Sequence, residues 1–134
     1  MSQAPSWDVY GFSERLTAAE KTALDELRTT LTDKVYPYLN DAWHEDRLPE
    51  EIIEPLQSLR LMNPEVLEEA GESVRGVFES MRTFELARCD TNVATFFNAQ
   101  AGLFRTVVKQ GGSAEQVAEL DPKIVNYELL GVFA

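Results

Sequence analysis

The sequence predicts an all-α domain, a bundle of about five helices in an up-down arrangement, with an arm at the front and a short orphan β segment at the back. Three observations predict it. Apolar residues recur at helical spacing through most of the chain. Capping residues stand where those periodic runs begin. No convincing strand precedes the last six residues. The 134 residues are one domain's worth, enough to bury about two-thirds of the surface the unfolded chain exposes.

Residues 1–16 carry Trp7, Val9, Tyr10, Phe12 and Leu16 without a period and read as an arm packed on the body. Thr17 with Glu20 forms a capping box that opens the first helix. Leu24, Leu27, Leu31, Val35, Tyr38 and Ala42 give that helix its stripe, and Pro37 should kink it or end it early. Asp46 to Pro49 is a connection. The second helix runs from about Glu50 to Leu61 on Ile52, Ile53, Leu56 and Leu59. Pro55 is tolerable near its first turn, where backbone donors have no partner. Met62 to Gly71 is the least regular stretch.

The third helix spans roughly Ser73 to Arg88, with Val74, Val77, Phe78, Met81, Phe84, Leu86 and Ala87 as a broad apolar surface that predicts a central position. Asp90 or Thr91 caps the fourth, from about Asn92 to Gln110, the most apolar of the set. Gly111 and Gly112 should stop it in the left-handed conformation glycine permits. Ser113 with Gln116 caps a fifth helix that ends near Leu120, because Asp121-Pro122 should break it. Leu129 to Ala134 is β-prone and has no strand to pair with, so the sequence is expected to stop in mid-fold.

Composition narrows the function. Twelve Lys plus Arg stand against 23 Asp plus Glu, a net charge of −11. Such a surface repels phosphate backbones and anionic lipid, so neither nucleic acid nor a membrane is an expected partner. The longest apolar runs are five or six residues, and no targeting segment is visible, so a cytoplasmic protein is expected. The single Cys89 excludes an internal disulfide framework and fits a reducing compartment. The single His44 excludes sites needing two imidazoles. Asp41-x-x-His44 therefore falls short of a di-iron set, and no metal site is predicted.

Other constellations have simple readings. Glu50, Glu51 and Glu54 suit the first turn of a helix. The acidic run Glu65 to Glu72 reads as a solvated face. Gly111-Gly112-Ser113 lacks the Lys and the preceding strand of a phosphate loop. Cys89 has no nearby histidine to activate it. The stretch Glu85 to Phe104 carries more. Arg88 and Asp90 bracket a sharp helix junction, and Phe96, Ala99, Gln100 and Leu103 then share one face, apolar except for the Gln100 amide. Two readings stand: plain core with a hydrogen-bonded glutamine, or the wall of an apolar ligand slot with one polar anchor.

From about Leu16 to Ala134 the chain resembles the N-terminal helical domain of the acyl-CoA dehydrogenases, especially the glutaryl-CoA dehydrogenase-like branch. The likeness rests on Leu16-Thr17-x-x-Glu20, Val35-x-Pro37, Ala42-Trp43 through Leu48-Pro49, and Glu51-Ile52-Ile53 with Leu56, Leu59 and Leu61. It continues through Glu85-Leu86-Ala87-Arg88-x-Asp90, the helix holding Gln100 and Leu103, Gly111-x-Ser113-x-Glu115-Gln116, and Glu128 to Ala134, which resembles the family's strand entrance. One departure stands out: the family's Gly- and Tyr-rich stretch before the third helix is here Asn63 to Glu72, with added carboxylates.

The resemblance implies a subunit of three parts: an arm (1–16) and helical domain (17–128), a middle β domain that residues 129–134 would enter, and a C-terminal helical bundle. It implies FAD and α,β-dehydrogenation of an acyl-CoA thioester in fatty-acid or amino-acid catabolism. The glutamate base and most flavin contacts would lie in the other parts. No catalytic residue is therefore assigned in this chain, which is not expected to hold FAD or to catalyse alone. By position, Phe96, Ala99, Gln100 and Leu103 would form a wall of the acyl pocket. Bare apolar helix faces predict a homo-oligomer. Two rival readings are a free-standing helical interaction module derived from this domain and a stand-alone carrier with an enclosed cavity beside Gln100.

Overall fold

Thr17 opens the first helix as expected, its hydroxyl accepting from Glu20 N–H while the Glu20 carboxylate accepts from Thr17 N–H. In the computed structural model, which describes residues 8–62 and 76–131, this helix does not end at Pro37. Ala18–Thr30 runs through a π turn, Leu31–Val35, into Tyr36–His44, and the three form one helix, α1. Pro37 has no N–H, and its ring crowds the carbonyl one turn back. The π turn just before it accommodates the ring, with Tyr36 N–H donating to Leu31 O. The wider turn shifts the apolar stripe by one residue. Val35, Leu39 and Ala42 are buried, and Tyr38, expected on the stripe, is exposed.

Pro49 leads into α2, a 3-10 turn Glu50–Ile52 followed by Ile53–Ser58. It ends three residues earlier than expected, and Arg60 then takes a left-handed φ of 49°. Ile52 and Leu56 are fully buried. The irregular stretch 63–71, the acidic run and Val74 lie outside the described residues, as do Met1–Trp7 of the arm. The rest of the arm is ordered locally. Asp8 accepts from Phe12 N–H and Ser13 N–H around the left-handed Gly11, and Phe12–Arg15 forms a 3-10 turn.

Helix α3 covers Gly76–Cys89, and α4 is a second run-on helix: Thr91–Asn98, a π turn Ala99–Phe104, and Arg105–Gly111. Asp90 is the cap between them, accepting from Asn92 N–H and Val93 N–H. Helix α3 packs on α1 and α4. Its core positions are Phe78, Met81, Glu85 and Leu86, while Phe84 and Ala87, expected within the apolar surface, are exposed.

Two expected stops are corrected. Gly112 ends α4 at φ −78° and ψ 153°, extended and not left-handed. Glycine is needed there for closeness: a Cβ would stand 2.5 Å from Val108 O, to which Gly112 N–H donates. Helix α5, opened by the Ser113–Gln116 capping box, runs Ala114–Val125 straight through Pro122. Ala118 and Pro122 both face solvent, so water can replace the bond that proline cannot make.

The all-α architecture holds: α1 to α5 enclose one core of Leu24, Leu27, Leu31, Val35, Ile52, Leu56, Phe78, Leu86, Val93, Phe97 and Ile124. No strand occurs among the described residues. Of the β-prone tail, Leu129 to Gly131 lies folded back toward α4, and Val132 to Ala134 fall outside the described residues.

Candidate functional site

The face singled out on α4 straddles its π turn, and the turn separates its members. Gln100 points inward and is 5% exposed, whereas Leu103 is 46% exposed. Phe96 and Ala99 are half-buried. The Phe96 ring stacks on Tyr127, centroids 6.0 Å apart at 21°. The structure thus sets Phe96 and Gln100 against Tyr127 and Gly131, leaves Ala99 half-buried between them in sequence, and turns Leu103 outward, on a surface that includes exposed Val107.

The Gln100 carboxamide behaves like one residue of a strand. Its Nε2 donates to Gly131 O at 3.0 Å, and its Oε1 accepts from Gly131 N–H at 3.0 Å. This reciprocal pair fixes which end of the amide is which and satisfies the one polar group on the face. It also gives the tail the backbone partner for which no strand was available. Gly131 is the residue that fits, because a Cβ there would stand 2.2 Å from the Phe104 ring. Inside the same turn Asn98 folds over Gly102, where a Cβ would meet Asn98 Oδ1 at 2.5 Å. π turns inside α-helices are frequent at functional sites, and here the turn aims the amide inward.

Beside this face lie polar groups that pattern reading missed. Arg105 is buried and spans α4 to α5. Its Nε and Nη2 reach Asp121 at 2.6 and 3.0 Å, and its Nη1 donates to Met62 O. The Arg105 guanidinium holds the Asp121 carboxyl below its usual range. An arginine in an otherwise apolar helix was the only sign. The Arg82 guanidinium lies 4.9 Å from the Phe97 ring centroid and donates to Leu61 O, and its burial lowers its pKa. Tyr127 takes a left-handed φ of 55°, its hydroxyl is buried without a hydrogen bond, and burial pushes its pKa up.

At the α3–α4 junction, Glu85 is 3% exposed. It accepts from Arg28 Nε at 2.6 Å and from Arg88 Nη1 at 2.9 Å. Arg88 at the i+3 position was its signal in the sequence. Burial raises the neighbouring Cys89 thiol to about 11, which keeps it protonated. His44 Nδ1 lies 2.7 Å from Asn40 O at the end of α1.

Phe96, Ala99, Gln100 and Leu103 carry no group that transfers a proton at neutral pH, so the face can shape and line but not act as acid or base. The Gly112 amide closes α4 and Ser113 caps α5, so the one glycine-serine turn is consumed by the fold. The clefts at the α1–α4 junction, beside Arg28, beside Tyr38 and beside Arg82 are not lined by any of the four predicted residues. No helix among the described residues is long and apolar enough to cross a membrane.

A search of the curated proteins gives no match. The family model of the acyl-CoA dehydrogenase N-terminal domain matches residues 17–128, from the capping threonine of α1 to the residue after Tyr127. With the all-α bundle, the capped α3–α4 junction and the Ser113 box in place over that span, the chain belongs to the acyl-CoA dehydrogenase N-terminal domain family.

Proposed function

We propose that this domain works as the helical part of an FAD-dependent acyl-CoA dehydrogenase of the glutaryl-CoA dehydrogenase-like branch, which forms an α,β-double bond in an acyl-CoA thioester. The family match over 17–128 carries this reading. The domain supplies a wall of the acyl pocket. Phe96 and Ala99 set its shape, Gln100 holds the tail against α4, and exposed Leu103 meets the acyl chain. By the family resemblance, most flavin contacts belong to a middle β domain and a C-terminal bundle, and the catalytic base to the C-terminal bundle. We place the enzyme in the cytoplasm as a homo-oligomer joined through its apolar helix faces.

The test is anaerobic titration of the purified full-length gene product with a panel of acyl-CoA thioesters. Bound flavin that bleaches with at least one acyl-CoA is the expected result. A product without flavin, or a flavin that no thioester bleaches, refutes the reading and leaves the interaction-module alternative.

A further inference from the structure

The cleft where the end of α1 meets the start of α4 has a volume of about 310 Å³, room for one long side chain. Ala42 and Val93, both buried, form its floor, and Trp43, 61% exposed, is one wall. The indole is held in place: its Nε1–H donates to Asp90 Oδ2 at 2.8 Å, while Asp90 Oδ1 caps α4. Tying down the edge of the ring leaves its face open at little further cost in side-chain freedom.

Charge decides what fits. Asp46, Asp90 and Arg47 line the cleft. Residues 45–51 carry Glu45, Asp46, Glu50 and Glu51 against Arg47 alone. That arginine is engaged, its Nε at 2.6 Å from Glu45 and its Nη1 at 3.3 Å from Glu51. We propose that this cleft receives the arginine or lysine side chain of a basic partner protein. The aliphatic stem lies on the apolar floor, the cation faces the Trp43 ring, the best of the aromatic acceptors, and the Asp46 carboxylate on the lining supplies the counter-charge, with Arg47 neutralised by Glu45 and Glu51. The net charge of −11 steers such a partner toward the domain.

The test uses the whole chain carrying Trp7→Phe, so that Trp43 is the only tryptophan. It is titrated with acetyl-Gly-Gly-Arg-Gly-Gly-amide and with the same peptide bearing citrulline, the neutral isostere of arginine. The expected result is a saturable change in Trp43 fluorescence, with the arginine peptide binding about fivefold tighter than the citrulline one. Its affinity falls severalfold between about 20 and about 200 mM salt. Asp46→Asn, a residue that tolerates the φ of 55° at this position, weakens arginine binding about threefold with no change in circular dichroism. Equal binding of the citrulline peptide, or of one with leucine in that place, marks an apolar anchor and overturns the proposal. So does the absence of saturation, or methylguanidinium binding as tightly as the peptide, which marks a site for a free small cation.

Discussion

The substitution Gln100→Glu is the sharpest probe of how α4 holds the tail. The change keeps the length and the acceptor. The introduced carboxylate still receives Gly131 N–H, but the oxygen replacing Nε2 stands at 3.0 Å from Gly131 O with no proton between them. One bond worth about 1 kcal/mol is lost, and an acceptor is left facing an acceptor at a site 5% exposed, which adds about 1–3 kcal/mol. The variant should therefore be about 2–4 kcal/mol less stable at pH 7. At this chain length that is a fall in Tm on the order of 10 °C.

The pH dependence separates this account from simple disruption. Burial and the facing carbonyl favour the neutral acid, so the folded-state pKa of the introduced carboxyl is raised above its unfolded value. For a raised pKa, stability is fully present below the unfolded value, about 4.3 for a glutamate side chain, and is lost as pH rises through the folded one. Below that range the protonated carboxyl donates to Gly131 O and accepts from Gly131 N–H, restoring the pair. Urea melts of variant and wild type at matched pH values from about 4 to about 8 would follow the gap, which should narrow to under about 1 kcal/mol in acid. A gap independent of pH, or no gap at pH 7, would refute the pairing of Gln100 with Gly131 as the clamp.

Four further outcomes follow from the geometry. Gly131→Ala puts a Cβ into the Phe104 ring and should destabilise by about 1–3 kcal/mol; in a Phe104→Ala background thermal melts should show the substitution costing less than it does alone. Glu85→Gln removes the carboxylate that Arg28 and Arg88 share, while Arg28 keeps Asp25, and because both arginines are partly solvated the loss in denaturant melts should be about 1–2 kcal/mol, below that of a fully buried pair. Asp121 has a lowered pKa, so its contribution exists above the ordinary carboxylate value and disappears as pH falls through the folded one; Asp121→Asn should cost about 1 kcal/mol at pH 7 and nothing in strong acid. Cys89, with its thiol raised to about 11, should react with iodoacetamide at pH 8 about a hundredfold more slowly than a free thiol, and equal rates would contradict its burial.

The sequence carried the caps and the helix order well, because each depends on residues close together. Thr17 with Glu20, Asp90, and Ser113 with Gln116 all cap as their spacing required. What it carried badly were the places where a strong local signal meets a stronger tertiary one. Pro37 read as a kink or an early end and Pro122 as a break, yet both helices run on. A π turn absorbs the first, and the second frees a carbonyl only toward water while Ile124 beyond it is anchored in the core. Gly112 stands where its stop was expected but for a different reason, since a neighbouring carbonyl and not handedness requires it. Glu85 and Arg105 left only faint local signs of their burial, because burial of a charge depends on partners as much as 57 residues away.

The α4 face shows why sequence spacing alone left two readings of Gln100. On an ideal helix Phe96, Ala99, Gln100 and Leu103 lie together, and the amide then belongs either to the core or to a ligand. The π turn Ala99–Phe104 breaks that premise: it gives Gln100 to the core and Leu103 to the surface. Gln100 is satisfied by Gly131, while Leu103 faces outward. The face takes its polarity from the tail it holds, so a change at Gly131 should reshape it as much as a change at Gln100. The double variant, Gly131→Ala with Gln100→Leu, should accordingly lose less stability than the two single losses combined, because a tail displaced from the Phe104 ring by the added Cβ no longer makes the hydrogen-bond pair that Gln100→Leu removes. Strict additivity would mean that the amide and the tail are held independently.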